Sequence, residues 1–83
     1  RVMITHPAVA EASVIPAPDE KWGEVGKAFV VLRPGQSLSE QALLEYCSTR
    51  LARFKIPKSV AFISGLPKND TGKINRQALK AMG

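Results

Sequence analysis

The sequence predicts an α+β fold: a small sheet of about three strands, mainly antiparallel, packed with helices in the order α-β-β-α-β-α. Three observations predict it. The chain has 83 residues, enough for one domain with a single modest core. Short apolar runs at residues 12–15, 27–32 and 60–63 read as strands. The first two of these have no helix between them, so an antiparallel pair is natural.

The elements follow in order. Val2, Met3 and Ile4 read as the tail of a helix that stops near His6-Pro7, because the residue before a proline is pushed out of the helical region. Residues 12–15 form a short first strand. Residues 16–25, with Pro16, Pro18 and Gly23, read as a ten-residue loop. Residues 27–32 are β-branched and aromatic and make the best strand, ended by a turn at Pro34-Gly35. Leu43, Tyr46, Cys47 and Leu51 then recur at helical spacing on one apolar face. Ser39 is the expected N-cap of that helix, with Leu38 and Leu43 as a hydrophobic staple, and Ser37 with Glu40 form a rival capping box. Arg50 and Arg53 suit the negative end of the helix dipole, and Pro57 forbids much continuation. After the strand at 60–63, residues 66–73 form a polar loop. Asn75 then caps a last helix over 76–82, with Ile74 and Leu79 as its staple.

Composition removes several functional classes. Hydrophobic residues make up 45% of the chain, a globular proportion. The only cysteine is Cys47 and the only histidine is His6, which leaves no disulfide framework and no cysteine- or histidine-based metal site. Cys47 reads as a core residue and His6 as a helix-end residue. No stretch approaches the length of a membrane span. The start carries no signal-peptide pattern and opens mid-pattern, as though cut from a longer chain, so the cytoplasm is the default compartment. A net charge of +5 points to an anionic partner. A basic nucleic-acid-binding module is one such reading, but no reading motif is present and aromatics for stacking are few.

Three segments could carry chemistry. In the first, Gly72-Lys73 follows Gly65 and suggests a P-loop. The spacing fails, because six residues separate the glycines and Ile74 stands where a hydroxyl is needed for magnesium. What remains is Lys73 on a tight turn built from Asn69, Asp70 and Gly72. Such a lysine is either a solvated loop residue or a placed charge for phosphate and carboxylate oxygens. The second segment is Trp22-Gly23-Glu24, whose indole either packs over the sheet or offers a flat face to a ligand. The third runs from Arg50 to Lys58, where Arg50, Arg53, Lys55 and Lys58 surround Phe54 and Pro57. This cluster is either a solvated helix end or a docking patch for a nucleotide.

Four strings, in order and at compatible spacing, resemble signatures of the adenylate-forming superfamily, which includes acyl-CoA synthetases, peptide-synthetase adenylation domains and luciferases. They are His6-Pro7-Ala8-Val9 with Glu11-Ala12, Pro18-Asp19 with Trp22-Gly23-Glu24, Leu51-Ala52 with Phe54-Lys55 and Pro57, and Leu66-Pro67-Lys68-Asn69 with Gly72-Lys73-Ile74. The resemblance covers nearly the whole chain and is closest to the C-terminal domain of an acyl-CoA synthetase. It implies that residues 1–83 are a lid domain whose large N-terminal AMP-binding domain and hinge lie upstream. It further implies that Lys73 is the catalytic lysine, contacting the substrate carboxylate and the α-phosphate of ATP while acyl-adenylate forms. The domain would then swing to assemble the site where a thiol, usually that of CoA, displaces AMP. The ligand-contacting residues it implies here are Trp22, Gly23, Phe54, Lys55, Lys58 and Gly72, with no metal ligand. ATP, Mg2+ and CoA would be bound mainly by, or together with, the large domain. One relative carries a basic residue where this chain has Ile56, which is a departure within the nucleotide-facing segment. The alternative within the family is a subdomain that loads the phosphopantetheine arm of a carrier protein.

Overall fold

The computed structural model describes residues 2–82, apart from the side chain of Phe54. Its centre is a three-stranded mixed sheet of β1 (Val9–Asp19), β2 (Gly23–Leu32) and β3 (Ser59–Phe62), in the spatial order β1-β2-β3. β1 and β2 are antiparallel, with Val14 opposite Ala28 and Asp19 opposite Gly23. β3 lies parallel to β2, with Lys27 opposite Ser59. The chain reaches that parallel position by crossing over through α1 (Glu40–Ser48), as a parallel pair requires. A second helix, α2 (Arg76–Met82), closes the chain.

Two expected elements change. The N-terminal segment is not the end of an α-helix but one 3-10 turn, Met3–Thr5. Thr5 N–H donates to the Val2 carbonyl at 3.0 Å and His6 N–H to that of Met3 at 3.2 Å. His6 then turns extended ahead of Pro7, so no second turn forms. The loop expected over 16–25 is mostly strand, and the connection is only the three residues between Asp19 and Gly23. β1 tolerates Pro16 and Pro18 because it is an edge strand. Residues two apart share a direction, so both missing N–H groups fall on the unpaired side.

The pleat divides the core between the two faces of the sheet. On one face Ala28 and Val30 pack with Val9, Met3 and the α1 residues Leu43 and Cys47, all buried. On the other, Phe29 and Val31 pack with Ile15, Leu66 and the α2 residue Leu79. A register shift between Val9 and Glu11 lets Val9 join the first cluster while Ala10 packs on the second.

Both helices start where their caps predict. The Ser39 hydroxyl oxygen accepts from Ala42 N–H at 3.1 Å, which resolves the rival caps in favour of Ser39. Leu38 packs with Leu43 in the first cluster. Asn75 Oδ1 accepts from Ala78 N–H at 3.1 Å, and Ile74 and Leu79 meet in the second cluster. α1 ends at Ser48, and a separate 3-10 turn, Arg53–Lys55, leads into buried Pro57.

Candidate functional site

Lys73 sits on the sheet face that carries α2. Leu66 and Ile74 anchor the two ends of its loop in the Phe29–Leu79 cluster. The ends also pair with each other through a bridge between Lys68 and Ile74. Asn69 N–H donates to the Lys73 carbonyl at 2.8 Å, Gly72 N–H to that of Asn69 at 2.9 Å, and Asn75 N–H to that of Pro67 at 2.8 Å. Gly72 lies at φ +83°, the left-handed region that glycine enters without steric cost. The base is fixed further by an ion pair of 2.8 Å between Lys68 Nζ and Glu11 Oε1 on β1. Lys73 itself is exposed. The result is an ammonium on a flexible stem, held out from a backbone whose path is set by three hydrogen bonds, one ion pair and two apolar anchors.

Trp22 occupies the tip of the β1–β2 hairpin and is 66% exposed, so packing over the sheet is ruled out for it. Gly23, at φ +82°, turns the chain back into β2. Asp19 Oδ1 accepts from the N–H groups of Lys21 and Trp22 at 2.8 and 2.9 Å. Its Oδ2 accepts from Lys58 Nζ at 3.0 Å. Asp19 is therefore held below the ordinary carboxylate value of 3.8, first by the Lys58 hydrogen bond and then by the backbone N–H groups of Trp22 and Lys21.

The hairpin tip and the basic segment meet in one open groove of about 1220 Å3. Val14, Gly26, Trp22 and Ile56 are among its lining, and Arg53 and Lys58 bring positive charge. The join is made by the sheet, because Lys58 N–H donates to the Gly26 carbonyl at 2.8 Å just before β3 begins. Two segments more than thirty residues apart in sequence thus line one space.

Other cations of the segment go elsewhere. The Arg50 guanidinium stacks on the Tyr46 ring at 3.7 Å and donates to the Tyr46 carbonyl at 3.1 Å, so it closes the end of α1. Lys55 is exposed on the 3-10 turn and is not part of the groove lining. The side chain of Phe54, a residue expected at a nucleotide, lies outside the described residues. His6 is structural: its Nδ1 accepts from Ala8 N–H at 3.0 Å and its ring meets Tyr46 edge-on. Cys47 is fully buried and burial pushes its thiol up, as suits a core residue. Sequence reading missed Asp19 as the anchor of the tip. The signal was there, since an Asp followed two and three residues later by the turn backbone is an Asx-turn pattern.

The two candidate sites do not form one. The Lys73 loop is anchored in the α2-face cluster, while the groove residues Val14 and Ile56 pack with Ala28 on the α1 face and only Ile15 of the lining belongs to the α2-face cluster. Lys73 is not among the residues that line the groove. Among the described residues no group of three His, Cys, Asp or Glu side chains could hold a metal ion.

The chain belongs to the AMP-binding enzyme C-terminal domain family, whose model matches residues 1–73. A curated relative, the long-chain-fatty-acid–CoA ligase FadD13 of Mycobacterium tuberculosis, is 51% identical over 79 residues, covering 95% of this chain and 16% of that protein. ATP-bound MatB from Rhodopseudomonas palustris superposes with a TM-score of 0.93 at 33% identity, over 98% of this chain and 16% of that one. A double mutant of o-succinylbenzoate CoA synthetase from Bacillus subtilis, bound with its product analogue, gives 0.87 at 44% identity, over 95% of this chain and 16% of that one. The chain thus spans about one sixth of the length of the proteins it matches.

Proposed function

We propose that residues 1–83 act as the C-terminal lid domain of an ATP-dependent acyl-CoA synthetase, completed by a large AMP-binding domain and a hinge in a longer chain. The observation that carries this reading is the placement of Lys73 and the Trp22–Lys58 groove on opposite faces of one sheet. A domain that serves two successive half-reactions needs two such faces, and a hinged rotation exchanges them. The CoA-ligase names of the relatives support the reaction class.

In the first half-reaction Lys73 stands beside the carboxylate of the acid and the α-phosphate of ATP. Two anions must approach each other, and the ammonium offsets their repulsion and the charge that develops on the phosphoryl oxygens. A carboxylate oxygen attacks the α-phosphorus, pyrophosphate leaves, and an acyl-adenylate forms. The anchored loop fixes the lysine's base, while its stem supplies the reach. Magnesium, which accompanies ATP in this reading, has no donor set among the described residues, and the role of Lys73 does not depend on it.

In the second half-reaction the groove face turns toward the acyl-adenylate. Trp22 offers a flat apolar face to the CoA arm, and Arg53 and Lys58 offer charge to its phosphates. The CoA sulfur attacks the acyl carbon and loses its proton, and AMP leaves. Gly23 and Gly72 shape the two approaches, and Phe54 and Lys55 are further contacts to CoA in this reading. A cytoplasmic compartment goes with this reading.

The test uses the full-length enzyme. Pyrophosphate release should depend on a carboxylic acid, and the acyl group should then pass to free CoA. Transfer to a phosphopantetheinylated carrier protein, with free CoA inert, would overturn the CoA reading in favour of a carrier-loading domain.

A further inference from the structure

We propose that Asp19 is a positioning residue for the thioester-forming step, holding the Trp22 tip and Lys58 in one geometry across the groove. The functional half of this inference rests on the reading that the groove takes CoA. The geometric half stands on the hydrogen bonds alone.

The two carboxylate oxygens do separate work. Oδ1 receives the N–H groups of Lys21 and Trp22, which closes the three-residue tip into an Asx turn. Oδ2 receives the Lys58 ammonium from 39 residues away. The Asp19 side chain is only 15% exposed, while that of Lys58 is 57% exposed. One largely covered acid therefore holds a solvent-facing indole and a solvent-facing cation beside the same space. The indole's own neighbour is the Lys21 ammonium at 5.0 Å from the ring centroid, which does not tie the tip to the rest of the sheet. Fixing both groups before a ligand arrives removes an ordering cost that would otherwise weaken binding.

Substitutions separate the two oxygens' tasks. Asp19→Asn keeps an acceptor for the tip amides and loses the charge toward Lys58. Asp19→Ala loses both. Trp22→Ala removes the indole and reports whether the groove contributes to CoA binding at all. Each variant of the full-length enzyme is read two ways: hydrogen exchange over residues 19–23, and KM for CoA beside the rate of CoA-independent pyrophosphate release. Asp19→Ala should speed exchange at the tip and raise KM for CoA about fivefold or more, the range expected from losing a capping carboxylate. Asp19→Asn should keep tip exchange slow and raise KM by a smaller factor, with Lys58→Ala adding little on top of it. Pyrophosphate release should move less than KM in every case.

Unchanged exchange in Asp19→Ala would overturn the positioning role. So would an unchanged or lower KM for CoA in Asp19→Ala alongside a raised one in Trp22→Ala, because Asp19 would then be neutral toward the ligand or compete with it for Lys58. If Trp22→Ala leaves KM unchanged, the groove reading fails, and faster tip exchange in Asp19→Ala still decides the geometric half.

Discussion

Gly72 turns the backbone at φ +83°, and no atom lies within 4 Å of where a Cβ would stand. A substitution there meets backbone strain and nothing else. Gly72→Ala is expected to cost about 1 kcal/mol, and that cost falls on the loop that carries Lys73. Urea unfolding should register the loss, and adenylation should slow while the CoA step is spared. Asp19 carries the pH dependence at this scale. Its partners hold it below 3.8, so its contribution is present above that value and disappears as pH falls through the still lower folded-state value. Exchange at the hairpin tip should therefore stay slow from neutral pH down to about pH 4 and rise only in stronger acid, once the intrinsic rate is allowed for. A tip that loosens between pH 7 and 5 would contradict this. The tight turn that carries Lys73 was legible in Asn69, Asp70 and Gly72, whereas the role proposed for the lysine came from the family resemblance and not from the turn. The Asp19–Lys58 pair was not legible, because nothing in a sequence marks a contact across 39 positions.

The helix starts were more legible than the strand bounds, since β1 and β2 begin at Val9 and Gly23 rather than at residues 12 and 27. Ser39 and Asn75 act on N–H groups three residues away, so the information for both helix starts is local. Ser39→Ala should cost about 1 kcal/mol of stability, measurable as a lower urea midpoint with unchanged slope. β1 is the opposite case. Pro16 and Pro18 look like breakers until the strand is known to lie at the sheet edge, and edge position is a property of the whole sheet. The groove was hidden for the same reason, since the parallel seating of β3 on β2 brings Lys58 beside Gly26. α2 rests on fully buried Leu79, and Arg76 donates to the Val14 carbonyl at 2.6 Å. Leu79→Ala should cost about 2–5 kcal/mol. It should loosen the Leu66–Ile74 base of the lysine loop before it disturbs the Leu43–Cys47 cluster, and residue-resolved exchange would show that order.

At the scale of the whole molecule, a surplus of positive charge is spent at two separated places rather than along one polyanion-binding stripe. Lys73 stands on the α2 face, and Arg53 and Lys58 stand on the α1 side. These three cations are part of the excess of 12 Lys and Arg over 7 Asp and Glu, and Lys58 is itself paired with Asp19. The division requires that damage to one face spare the chemistry of the other. The direct measurement is the pair of half-reactions in full-length Lys73→Ala, with acyl-adenylate formation and thiolysis of supplied acyl-adenylate followed separately under single turnover. Adenylate formation should fall by about 100-fold or more, while thiolysis by CoA stays within a few-fold of the parent. Equal loss of both half-reactions would contradict the account.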